Sequence, residues 1–239
     1  MIFSRHTLLV LPLAALVSGC GSSNDNPLIS GSEYQYRVTI TNLTTGQPFS
    51  PAAVVIHHSG WQALELGQPA TVGLEKLAEG GDNSDFISAA DADSDVLSTA
   101  TGQGIIAPGA TEELTVSVGL VNDHDLSLSW VSMPVNTNDG LAGVIDARLS
   151  GWDVGQSETF LAISYDAGTE ANTESADTVP GPAASGLAEG FNPVRDDVRN
   201  AVYLHAGVVT GDDGLTTSTL GEVQRWDNPI ASVRVERLQ

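Results

Sequence analysis

The chain has 239 residues, 41% of them apolar and 16% charged, with 9 basic against 30 acidic side chains and a net charge of −21. That length can bury a sizeable single core, while the acidic balance excludes holding nucleic acid, heparin-like polymers or anionic headgroups by charge. It suits cation binding or plain solvation in a salty medium, and the single Cys excludes an intrachain disulfide.

Residues 1–19 have the form of a secretion signal. Arg5 and His6 make a basic end, and an apolar run follows over 8–17, too short to span a bilayer as a helix. The run closes on Leu16-Val17-Ser18-Gly19-Cys20, which resembles the lipobox of bacterial lipoproteins. That resemblance implies cleavage before Cys20 and lipidation of Cys20, with several acyl chains anchoring the protein stably. With no Asp after the Cys, it also implies the outer membrane of a bacterial cell envelope, on its periplasmic or exterior face. Removing 1–19 removes Arg5 and no acid, leaving 8 basic and 30 acidic residues, a net charge of −22. Residues 20–32 read as the lipidated Cys and a polar tether, and 33–239 as one domain.

In that domain strand signals dominate. Alternating or β-branched runs predict strands over 34–40, 52–57, 112–118, 126–131, 159–165, 200–208 and 230–238. In the last, Val233, Val235 and Leu238 are expected near the core. One short amphipathic helix is predicted over 70–79, stopped by Gly80-Gly81. A turn is expected at 145–149, and long loops at 81–104 and 171–194, where loops of that length are functional or disordered. Spaced strands with Gly, Pro and Asp turns predict an all-β sandwich.

Two turns gather oxygen ligands, with a strand-like stretch between them: Asn136-Thr137-Asn138-Asp139-Gly140 and Asp166-Ala167-Gly168-Thr169-Glu170. A carboxylate pair spaced i, i+4 around a Gly turn can face one point, and a third from a neighbouring loop would complete a hard-cation site. Asp, Asn and Gly are equally the default residues of ordinary acidic turns. Packed together, Asp139, Asp166 and Glu170 would raise at least one carboxyl pKa by mutual repulsion, which a divalent ion would relieve.

Several segments, in order, resemble the spondin N-type domain found in extracellular-matrix and bacterial secreted proteins. They are Tyr36-Arg37-Val38-Thr39-Ile40; His57-His58-Ser59-Gly60-Trp61 followed by Gly67-Gln68-Pro69-Ala70; Leu77-Ala78-Glu79-Gly80-Gly81; Ser132-Met133-Pro134 leading to Asp139-Gly140-Leu141-Ala142-Gly143; Tyr165-Asp166-Ala167-Gly168-Thr169-Glu170; and Pro229-Ile230-Ala231. The resemblance runs over about 34–238. It implies a C2-like antiparallel β-sandwich with one or two short helices, binding Ca2+ through acidic turns at one end. Asp139, Asp166 and Glu170 take the ligand positions. Glu170 stands where the family has Asp, and Tyr165 where it has Trp. The role implied is a non-catalytic adhesion or binding module, with a surface protein or a glycan as partner.

Other constellations carry less. Asp91-Ala92-Asp93-Ser94-Asp95 opens like an EF-hand loop, but Val96 stands at its sixth position and Gly102 at its twelfth, so the match fails. Neighbouring His57 and His58 point to opposite faces of a strand and do not readily share one zinc. A hydrolase would need one of them to converge with His205 and a carboxylate. No G-x-S-x-G elbow is present. Trp61, Trp130, Trp152 and Trp226 read as core packing rather than as a sugar platform.

Overall fold

Alternation builds the first layer. In a computed structural model that describes residues 1, 33–119, 123–184 and 190–239, β1 (Glu33–Asn42) turns Tyr36, Val38 and Ile40 inward. The signal segment, the tether and Cys20 lie outside the described residues. The other strands are β2 (Ala53–His57), β3 (Val96–Thr101), β4 (Thr111–Gly119), β5 (Ser127–Ser132), β6 (Gly140–Arg148), β7 (Ser157–Asp166), β8 (Tyr203–Leu204) and β9 (Ala231–Arg237). Two short helices, α1 (Val72–Gly80) and α2 (Ser84–Asp91), lie between β2 and β3.

The strands run β3-β2-β5-β6-β7-β9-β1-β4, with β8 pairing β7 from the side, and every ladder is antiparallel. The result is a mostly β fold, a near-closed barrel with two short helices. Its two end strands meet where Gln103 N–H, just after β3, donates to Glu112 Oε1 of β4 (2.6 Å). The register places Val38 opposite Leu114 and Val235, and Ile40 opposite Val233. The barrel core also holds Val54, Ile56, Leu128 and Trp130.

A second core lies outside the barrel wall. Ala53 and Val55 of β2 join Leu74, Leu77, Ala78, Phe86 and Ala90 of the helices. β2 is therefore buried on both faces. Helix α1 starts where Thr71 Oγ1 accepts from Leu74 N–H (3.2 Å), and ends at Gly81, whose φ of 70° is the left-handed conformation that favours glycine.

Several expectations are corrected. The stretch 81–104 is not one loop, since it folds into α2 and β3. The turn expected at 145–149 is the last part of β6, where a bulge sets Ser129 against two residues and holds Asp146 at φ 57°. The strand expected over 200–208 shrinks to β8, whose ladder pairs only with Tyr165 and Asp166, while Val202 and His205 make single backbone bonds to Gln68 and Ser164. Leu238 is half-buried, unlike Val233 and Val235. Trp130 and Trp152 are core residues, whereas Trp61 and Trp226 are part-exposed.

Segment 190–202 is clamped to α1. Arg195 donates Nε to Glu75 Oε1 (3.0 Å) and Nη2 to Glu75 Oε2 (2.6 Å), and also reaches the carbonyl of Ala70 (2.8 Å). Asp196 then closes on the Thr169 carbonyl through its N–H (3.0 Å) and accepts from Ala171 N–H (2.7 Å). Gly31–Gln239 forms one compact unit. No helix among the described residues is long and apolar enough to cross a membrane.

Candidate cation site

Strands β6 and β7 pair at one end, Gly140 opposite Asp166, and this register brings the two acidic turns together. The first turn is built by its own side chains. Thr137 Oγ1 donates to the Pro134 carbonyl (2.6 Å) and accepts from Gly140 N–H (3.1 Å). A Cβ at position 140 would sit 2.6 Å from that hydroxyl, so glycine is required there by space. Asn136 is held by Gln47, whose Oε1 accepts from Asn136 N–H (3.0 Å) and whose Nε2 donates to the Asn136 carbonyl (3.1 Å).

Asp139 is fully buried. Its Oδ2 accepts from Thr169 N–H (2.7 Å), Glu170 N–H (3.1 Å) and Thr169 Oγ1 (3.3 Å), so this one oxygen organises the second turn. Its Oδ1 is buried and makes no hydrogen bond among the described residues. Asp166, 1% exposed, closes an Asx turn by accepting from Gly168 N–H (2.9 Å) on Oδ1, and accepts from Asn172 Nδ2 (2.6 Å) on Oδ2. Glu170 is buried beside them, its backbone bonded to Asp139. Asp139 and Asp166 thus lie together at one end of the β6–β7 pair, and the backbone N–H of Glu170 reaches Asp139 there.

Electrostatics follow from burial. Loss of water, then the neighbouring Asp166 charge, outweighs the Thr169 and Glu170 N–H groups and pushes the Asp139 carboxyl up to about 8. Among the described residues no Lys, Arg or His comes within 4.0 Å of Asp139, Asp166 or Glu174.

Sequence reasoning missed Glu174. It is 1% exposed and sits at φ 53°, a conformation that non-glycine residues rarely take. Its N–H donates to Asn138 Oδ1 (3.1 Å) and its Oε1 accepts from Val209 N–H (3.3 Å), while Oε2 has no partner among the described residues. Burial raises its carboxyl to about 7 against the Val209 N–H, with Asp166 adding repulsion. Glu170 and Glu174 share the i, i+4 spacing, but 171–194 reads as loop, so that spacing gave no usable signal. Tyr203 lies across the strand pair from Asp166 and donates to Asp197 Oδ2 (3.1 Å). Burial and the carboxylates of Asp166 and Asp197 push its phenol well up.

The histidines do not converge. His57 Nε2 lies 2.9 Å from Ser129 Oγ, the β5 residue that faces the β6 bulge. His205 stacks on Trp226 with ring centroids 5.2 Å apart, and its Nδ1 accepts from Gly207 N–H (3.0 Å). No group of three or more His, Cys, Asp or Glu among the described residues has an arrangement that holds a metal ion by itself. The donors that fit a hard cation are narrower: two adjacent buried carboxylates, one oxygen of which is uncommitted. Calcium completes its shell with carbonyl, amide and water oxygens.

The second turn can be tested directly. Gly168 has φ +69°, and a Cβ there would lie 2.3 Å from the Ala201 carbonyl oxygen. Gly168→Ala is expected to lower unfolding stability by about 2 kcal/mol or more. Denaturant midpoints of the two proteins check this, and equal midpoints would show that the turn relaxes freely.

No protein-family model and no curated protein matches the chain.

Proposed function

We propose that the chain is a non-catalytic, calcium-binding module of the spondin N type, anchored in the bacterial envelope through lipid on Cys20 and binding another surface molecule. Asp139 and Asp166 supply the charged ligands, with Glu170 at the rim of the same turn. The observation that carries this reading is Asp139 Oδ1, buried beside a second carboxylate with no hydrogen bond among the described residues. Buried carboxylates are ordinarily paired or bound to metal. When bound, the ion would neutralise the two charges and tie the 136–140 turn to the 166–170 turn. The chain's own part is to preset those turns through Asp139 Oδ2 and Asp166 Oδ1.

Fold detail favours the C2-like sandwich as the finer architecture. Strand β7 pairs with β9 over Ser157–Ala162 and with β6 over Ile163–Asp166. A strand that changes partners midway joins two facing sheets. The envelope anchor rests on the sequence around Cys20 alone.

Calcium titrated into the chelated full chain at pH 8 is expected to give one-site binding at ~0.1–1 mM, the range of extracellular modules. Asp139→Asn keeps an acceptor for Thr169 and Glu170 while removing the charge, so it is expected to abolish binding with the fold intact. No heat and no melting shift in the wild type would sink the metal reading and leave a proton shared by the carboxyl pair in its place.

A further inference from the structure

We propose that an open cleft of about 570 Å³ beside Trp226 is a binding site for a neutral saccharide. It lies between the turn after β1, where Leu43 lines it, and the segment carrying Glu222, Val223, Arg225, Trp226 and Asp227. The volume falls within the range of small-ligand sites. The inference extends the binding role proposed above by naming a ligand class. It rests on that role but not on calcium, since no side chain of the cleft is a proposed ligand.

The indole is set before any ligand arrives. Trp226 Nε1 donates to Ser164 Oγ (3.1 Å), and His205 packs against the ring. Its one polar atom is already satisfied and the ring packs partly on the barrel core and on the cluster of Val179, Val208 and Leu220, so what Trp226 offers the cleft is the part-exposed remainder of its ring, held at no further ordering cost. Leu43 and Val223, 47% and 58% exposed, extend that surface.

The rim is hydrogen-bonding and mixed in charge. Asp227 makes no side-chain hydrogen bond among the described residues. Among the described residues Arg225 engages Asp213 (3.4 Å) and Glu222 (3.2 Å) through Nη1 alone, leaving Nε and Nη2 as donors. Carboxylates accept from hydroxyls and a guanidinium donates to them. A pyranose presents both a C–H face for the indole and a ring of hydroxyls for these groups. An anion would meet two carboxylates against one guanidinium, on a chain of net charge −21. An apolar ligand would strip water from the rim without replacing its hydrogen bonds. A cation would find Glu222 already paired with Arg225 (3.2 Å), which leaves it one carboxylate, Asp227.

The test titrates the full chain with neutral gluco-, xylo-, manno- and N-acetylglucosamine oligosaccharides and, separately, with spermine, in chelator and in calcium, read by calorimetry and tryptophan emission. The expected result is saturable binding of at least one series in both media, weakened about tenfold or more in Asp227→Ala. Trp226→Ala is expected to lose both the binding and the emission change. Asp227 is exposed and unbonded, so its variant tests the cleft even if Trp226→Ala unfolds. Absence of saturable binding for every neutral series would overturn the proposal. So would binding unchanged in both variants, or a response to spermine alone, which would assign the cleft to cations. Loss of calcium binding with sugar binding retained would remove the metal reading and leave this one standing.

Discussion

In chelator the chain is expected to become less stable as the pH rises from about 5 to 8, the reverse of ordinary acid denaturation. Asp139 has a folded pKa of about 8 against an ordinary 3.8. Between those values the folded state keeps a proton that the unfolded state has released. Raising the pH therefore favours unfolding, with a slope approaching about 1.4 kcal/mol per pH unit for one such group. Stability from this source is fully present below the unfolded pKa and is lost as the pH passes the folded one. Glu174, raised from 4.5 to about 7, adds a loss of the same sign. Calcium requires the ionised pair, so its stabilisation should be small at pH 5 and larger at pH 8. At ten times its Kd it would contribute about 1.4 kcal/mol there. Urea midpoints at the two pH values, with chelator and with calcium, measure all of this. Asp139→Asn should remove the Asp139 share, leaving the losses from Glu174 and Glu79 against the opposite contribution of buried His57 and His205. An Asp139→Asn midpoint with the same pH dependence as the wild type in chelator would show that Asp139 is not protonated, whatever His57 and His205, whose lowered values add an opposite trend, contribute.

Arg195→Met is expected to destabilise the protein by about 3 kcal/mol or more. Glu75 is 3% exposed, and its two oxygens are engaged by the guanidinium at 3.0 and 2.6 Å. Removing Arg195 leaves that carboxylate buried without its charge partner. The double variant Arg195→Met, Glu75→Leu should recover much of the loss, because a pair replaced by apolar groups of similar size no longer strands a charge. The clamp also holds the segment that closes on Thr169, so the single variant should weaken calcium binding as well. Denaturant curves of both singles and the double give the coupling energy. Additive losses would mean the pair has no special role.

The legible strands were those with one buried face. Strands β1, β4 and β9 alternate because water lies on one side and the barrel core on the other. Strand β6 was harder to see, since Gly140–Val144 is buried on both faces and loses the period of two. Strand β3 has no fully buried residue and offered no apolar signature. Helix α2 buries only Phe86 and Ala90, too few for a helical stripe to stand out in sequence.

Sequence by itself determined the mostly β class, the acidic character, the helix stop at Gly80-Gly81 and the turn chemistry that makes Asp139, Asp166 and Glu170 candidates. Each depends on local propensity or side-chain type, which neighbours in the chain already specify. Only the tertiary structure decided that Gly140 faces Asp166 and that Asp139 Oδ2 is spent on Thr169 and Glu170 while Oδ1 is not. It alone set Glu174 against Asn138 and Val209, and Trp226 between His205 and an open cleft. Those facts depend on strand register and on burial, which arise from contacts between residues far apart in sequence.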